Sequence, residues 1–189
     1  MTNNDKIINK DIWINIKIPP KKISNELTSA LASIVIEWGR FEMALVADTS
    51  TMMAYPAVRI LAEKPPRTFV QRVELWKKCI NALYPTIKIY KNWAAEICSK
   101  GKVICRHRNR LIHGLWDISK FKETGMVRLV SYNGLEKIEK HEDLQINVQY
   151  LAAVHTDILA INGALAALIT NRMVHASKGI TTMSPTKAP

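Results

Sequence analysis

Arginine, amide and imidazole side chains lie within six residues of one another in Arg108-Asn109-Arg110-Leu111-Ile112-His113, and Gly114-Leu115-Trp116-Asp117 follow at once. An arginine presents a planar fork of donors that neutralises a phosphate. A histidine moves protons near neutral pH. RNA cleavage by internal attack needs a base for the 2′-hydroxyl, an acid for the leaving 5′-oxygen and positive charge on the phosphorane. It requires no metal and no cofactor. His113 is the candidate acid or base, Arg108 the candidate charge clamp, and Asn109 the candidate orienting group.

On a regular helix Asn109 stands one turn before His113, on the same face. Arg106 and Arg110 lie near that face and are weaker candidates for phosphate binding, as is His107, which reads as solvent-facing. Arg108 falls about 140° from His113 at 100° per residue. It also takes an apolar-stripe position between Ile104 and Leu111. A buried arginine needs a partner. Three outcomes stay open: a structural pair with Glu42 or Glu37, a distorted helix, or a long stem that carries the charge to the rim. A two-fold dimer would bring two His113 side chains and several arginines into one cleft. Each residue also has a plain structural role, since a histidine can simply finish a helix and an arginine can simply hold a carboxylate.

The chain around this motif is basic, with 27 Lys+Arg against 16 Asp+Glu and a net charge of +11 over 189 residues. Such a surplus favours polyanions: RNA, DNA or an anionic membrane surface. Its length allows one domain with a real core. Cys79, Cys98 and Cys105 form no C-x-x-C pair and no zinc-ligand spacing, so they read as reduced, buried thiols in a cytoplasm. No signal-peptide core stands at the N-terminus, and no run is expected to reach the ~18 apolar residues of a membrane span.

Four long helices must position the motif. Residues 12–18, Ile-Trp-Ile-Asn-Ile-Lys-Ile, alternate as a short strand ended by Pro19-Pro20. Leu27, Leu31, Ile34, Trp38, Phe41 and Leu45 form one stripe on a helix from about 24 to 49. Thr68-Phe69-Val70-Gln71 has capping-box form and opens a second helix to Leu83. The third, about 86–113, carries the motif and stops at Gly114, with Gly101 as a point where it could bend. Residues 126–132 and 135–139 flank Asn133-Gly134 as a hairpin, and 116–121 could add a strand. A last helix starts near 143–147 and ends near Met173. The expected architecture is mainly α: an up-and-down bundle of about four long helices, a short N-terminal strand, and a small hairpin between the last two helices. The organisation reads as 1–22 strand and linker, 23–173 helical domain, and 174–189 loose tail.

Arg-Asn-x-x-x-His at a helix end, running into His-Gly-x-Trp, resembles the HEPN superfamily, and Glu37-Trp38-Gly39-Arg40-Phe41-Glu42 is similar to its aromatic-plus-acidic first helix. In random order the six-residue pattern would arise roughly 0.015 times in a chain of this composition. The resemblance covers roughly residues 24–172. It implies a metal-independent endoribonuclease that leaves a 2′,3′-cyclic phosphate, with Arg108 and His113 as the catalytic pair and Asn109 beside them. It also implies a homodimer with a composite site, and a toxin or phage-defence role with an antitoxin partner. Leu115 stands where toxins silenced by nucleotidyltransferase antitoxins carry tyrosine. Other members are inactive, which leaves a non-catalytic RNA binder or scaffold as the second expectation. A protein drawn to a membrane surface by charge is the third.

Overall fold

The computed structural model describes residues 25–61, 64–117, 126–131 and 142–177. The expected N-terminal strand and the end of the tail lie outside these residues. The chain is mainly helical: α1 Asn25–Met52, α2 Pro56–Arg59, α3 Phe69–Leu83, α4 Lys88–His113 and α5 Val148–Ser177. Strands β1 Leu115–Asp117, β2 Val127–Ser131 and β3 Glu142–Ile146 stand between α4 and α5.

The apolar stripes become the core. Leu27, Ile34, Trp38, Phe41 and Leu45 of α1 are buried, as are Tyr90, Ala94, Ile97, Ile104 and Leu111 of α4. Trp38, Phe41 and Phe69 form an aromatic knot with ring centroids 4.7–5.9 Å apart. Truncating one buried ring of this kind typically costs about 3–5 kcal/mol. The Thr68 capping box forms as its residues predict, with the Gln71 amide N–H donating to Thr68 Oγ1 at 3.2 Å. Gly101 does not break α4. A Cβ there would lie 3.2 Å from Phe69 Cζ and 3.4 Å from Ile161 Cδ1, so this glycine lets α4 press against the aromatic knot. All three cysteines are free and buried. Burial pushes the Cys79 thiol up to about 11 and raises Cys98 and Cys105 as well.

The up-and-down order expected from short connections is not what forms. Glu42 of α1 faces Arg72 of α3, and Asp48 of α1 meets Trp76 of α3, so these two helices run the same way. Glu37 meets Asn162 and Asp48 meets Arg172, so α5 also runs with α1. Only α4 among the long helices opposes them. Glu74 of α3 contacts Lys102 of α4, while Tyr84 stacks edge-on to Tyr90. His107 of α4 contacts Tyr150 of α5, while Tyr90 stacks edge-on to His175. The reason is the connection between α1 and α3. Helix α3 begins beside residue 41, about 16 Å back along α1 from its end. Residues 53–68, with α2 inside them, have ample reach for that return at ~3.3 Å per extended residue.

Among the described residues the sheet has the order β1-β2-β3 and is antiparallel throughout. Leu115 pairs with Val130, Val127 with Ile146, and Ser131 with Glu142. The strand that pairs with β2 is therefore 142–146; the expected return at 135–139 and its Asn133-Gly134 turn lie outside the described residues. Helix α5 starts later than expected and runs four residues past Met173, into the stretch read as tail.

Helix α5 is also long and apolar enough to cross a membrane, with a mean hydropathy of 1.6 over its best window. That corrects the expectation drawn from uninterrupted apolar runs, because polar residues are spread thinly along α5. In this structure it buries Leu151, Val154, Ile158, Ile161, Leu165 and Leu168 against the other helices.

Candidate functional site at the end of helix α4

Helix α4 is unbroken through His113, so the motif has regular helical geometry. Two donors close its end. The Gly114 N–H donates to Arg110 O at 2.8 Å, and Trp116 Nε1 donates to Leu111 O at 2.9 Å. Gly114 has an ordinary extended backbone, φ −79° and ψ 157°. Space is what demands glycine: a Cβ would lie 2.5 Å from Leu129 Cδ1 and 2.6 Å from Arg110 O. Strand β2 therefore packs directly onto the last turn of α4. Arg110 and His113 stand in that turn, where cations are favoured by the helix dipole.

Asn109, His113 and Arg106 are exposed, and Arg110 is half-buried. They share one side of α4, as their spacing predicts. Arg108 is on the opposite side at its core edge, half-buried between Ile104 and Leu111. One chain therefore does not bring the Arg108 backbone position and His113 onto one face.

The expected Glu42 partnership does not form. Glu42 faces Arg72 at 3.8 Å, and Glu37 pairs with Arg40 at 2.5 Å. Among the described residues no carboxylate pairs with Arg108. Its Nε is buried with no hydrogen-bond partner, yet its Nη1 donates to Asn109 Oδ1 at 3.0 Å. Asn109 Nδ2 in turn donates to Cys105 Sγ at 3.6 Å. Of the three outcomes left open by sequence, the long stem prevails: it lies along the core edge and turns its tip toward the exposed face. Both Glu42 and Arg108 reach Cys105 electrostatically, behind burial: Glu42 raises that thiol and Arg108 lowers it.

His107 is not solvent-facing. It is half-buried, with Nδ1 2.7 Å from Tyr150 Oη and the two rings edge-to-face at 6.1 Å. Burial holds its pKa below the usual histidine value, and the charges of Arg110 and Arg106 push the same way, against Asp157. Burial also raises the Tyr150 phenol, with Arg110 pulling it down. Tyr150 is a site residue that motif reading does not single out. The signal available was Asn147, whose Oδ1 accepts from the Tyr150 N–H at 2.8 Å and fixes the first turn of α5.

The result is an open helix face carrying Arg106, Asn109, Arg110 and His113, flanked by the Arg108 tip on one side and His107–Tyr150 on the other. Cavities of about 590 Å³ beside Arg72 and 370 Å³ beside Arg172 lie elsewhere. An open basic face suits the backbone of a polymer better than a small molecule. Among the described residues no group of three or more His, Cys, Asp or Glu side chains could hold a metal ion. Comparison with protein-family models, with characterised proteins and with solved structures finds no match to this chain.

Proposed function

We propose that this chain is a HEPN-like, metal-independent endoribonuclease that cleaves RNA by 2′-hydroxyl attack to a 2′,3′-cyclic phosphate. One observation carries the reading. Arg108 lacks a carboxylate among the described residues, and Asn109 turns its guanidinium toward the face that bears exposed His113. A guanidinium without a carboxylate partner favours an anion, and a phosphate is the anion its fork fits. In this reading Arg108 stabilises the phosphorane and His113 moves the proton. Asn109 aims the arginine, and Arg106 and Arg110 hold flanking phosphates. A homodimer supplies the composite site that one helix does not, since Arg108 and His113 stand about 140° apart. A cytoplasmic toxin or phage-defence effector, with an antitoxin protein as partner, is the biological role that accompanies this chemistry. With Leu115 after the motif, silencing would not rest on a tyrosine there.

That same angular separation favours a second reading, a non-catalytic RNA-binding or scaffold protein of the same architecture. Purified chain is incubated with structured RNA in EDTA, and the ends are analysed for cyclic phosphate. Cleavage that His113→Ala abolishes supports the enzyme. Salt-dependent binding with no cleavage supports the binder. Equal cleavage by parent and His113→Ala overturns the enzyme reading.

A further inference from the structure

We propose that the cleft beside Arg172, at the end of the helices away from the motif, binds a small uncharged carboxamide carried on an apolar body. The site uses no residue of the motif, so it stands or falls apart from the RNA reading.

The helical stripes put two charges where apolar residues are expected. Asp48 follows Phe41 and Leu45 on the buried face of α1, and Arg172 follows Leu165 and Leu168 on that of α5. They are 8% and 5% exposed, and no other charged side chain among the described residues is buried so deeply. Both line a cleft of about 370 Å³ together with Met52, Tyr84, Ile169 and Met173. Small-ligand sites span about 300–1,000 Å³, so the cleft has room for a ligand at the lower end of that range. Met173 is 67% exposed, so the cleft has an open rim above a buried ion pair.

The buried guanidinium is short of acceptors. An arginine has five N–H donors. Arg172 Nη2 donates to Asp48 Oδ1, Nη1 has only the Met52 thioether at 3.0 Å, and Nε has no partner. A thioether is a weak acceptor on a flexible stem. A ligand oxygen that displaces Met52 Sδ from Nη1 exchanges a weak bond for a charge-assisted one. Asp48 is open in the complementary sense. Its Oδ1 takes Arg172 and its Oδ2 takes Trp76 Nε1 at 2.7 Å, one donor on each, and a carboxylate oxygen accepts two.

Charge decides the class of ligand. Arg172 and Asp48 cancel, so an anion that gains at the guanidinium loses at the carboxylate, and a cation does the reverse. A carboxamide is neutral and carries both ends. Its carbonyl oxygen accepts from Nη1, and its N–H donates to the Asp48 carboxylate. Its apolar body meets Ile169, Met173 and the Tyr84 ring, which Tyr90 holds edge-on at 5.2 Å.

Benzamide is the probe, with benzoate and toluene as its anionic and apolar counterparts. Protein isotope-labelled at the methionine methyls is titrated with each by NMR. Met52→Leu and Met173→Leu assign the two reporter signals among the seven methionines. Benzamide should shift both signals saturably and raise the melting temperature. Toluene should bind about 10–100-fold more weakly for want of the hydrogen bond to a charged group, and benzoate should also bind more weakly than benzamide. Met52→Leu, which frees Nη1 from the thioether, should tighten benzamide. Asp48→Leu with Arg172→Met should erase its advantage over toluene. Benzamide that leaves both signals unmoved overturns the inference, as does toluene that matches it or benzoate that outbinds it in the parent protein. If the double variant does not fold, Met52→Leu decides: benzamide affinity no better than the parent's overturns the exchange at Nη1.

Discussion

Arg172 of α5 and Asp48 of α1 form a buried ion pair at the end of the helices away from the motif. Asp48 Oδ2 also accepts from Trp76 Nε1 at 2.7 Å, so one carboxylate ties α1, α3 and α5 together. Arg172 Nη1 reaches Met52 Sδ at 3.0 Å, and the guanidinium lies 5.8 Å from the Tyr84 ring centroid. Breaking such a pair strands a buried charge, which costs more than the pair itself contributes. Asp48→Ala should therefore destabilise the fold by about 3–5 kcal/mol. The double change Asp48→Leu with Arg172→Met should recover more than half of that loss. Urea denaturation of the three proteins checks it, and a double change no better than the single one refutes it.

Gly114→Ala tests the seat of β2 on α4. The added Cβ would overlap both Leu129 Cδ1 and the Arg110 carbonyl oxygen, and the second of these is backbone that cannot step aside. A loss of about 1–3 kcal/mol is expected. Because Arg110 and His113 stand on the same turn, activity should fall further than stability alone explains. Thermal melts beside RNA-cleavage rates measure the two effects separately. An unchanged melting temperature would show that β2 does not sit as described.

Acid should destabilise the protein in two windows. The Glu74 carboxyl is held down to about 2, first by Lys102 and then by Lys77, from an ordinary 4.5. The folded state therefore binds this proton later than the unfolded state does. Its contribution is whole above pH 4.5 and is lost as pH falls toward 2. His107 has the same sign. Its depressed pKa means that the unfolded chain takes the proton first, so stability falls as pH drops below the ordinary histidine value. Urea titrations across this range should show two slopes. Glu74→Gln removes the lower one and His107→Asn the upper one, and a slope that survives its own substitution refutes the assignment.

Much of the fold was legible because local rules and packing agree. The stripes from Leu27 to Leu45 and from Tyr90 to Leu111 name the buried faces, and Thr68 with Gln71 marks the start of α3 almost to the residue. Helix direction was not legible. Short connections suggest alternation, but residues 53–68 return the chain halfway along α1 before α3 begins, and nothing in their composition announces it. At the site, helical spacing places Asn109, His113 and Arg106 together and puts Arg108 across the helix from them. Spacing gives no view of where a long side chain ends, which is why the Arg108–Asn109 bond could not be read. Nor does it reveal a contact across 43 positions, such as His107 with Tyr150.

Asn109 is where the charge of Arg108 can be tested without touching either catalytic candidate. It holds Nη1 at 3.0 Å through Oδ1 and is exposed, so substitutions there should leave folding intact. Asn109→Ala frees the guanidinium while keeping its charge. Loss of aim typically costs a reaction about 10–100-fold, so kcat/KM for RNA should fall within that range while binding at low salt stays near the parent's. Asn109→Asp does something different. It gives Arg108 the carboxylate it lacks, cancelling the charge beside the phosphate. Affinity should then fall as well, and the dependence of log K on log salt should become shallower by about one phosphate contact. Asn109→Ser, which keeps a short acceptor, should recover part of the rate lost in Asn109→Ala. If the aspartate variant binds RNA with the parent's affinity and salt slope, Arg108 does not meet the phosphate. Arg106 and Arg110, on the His113 side of the helix, would then be the arginines that do.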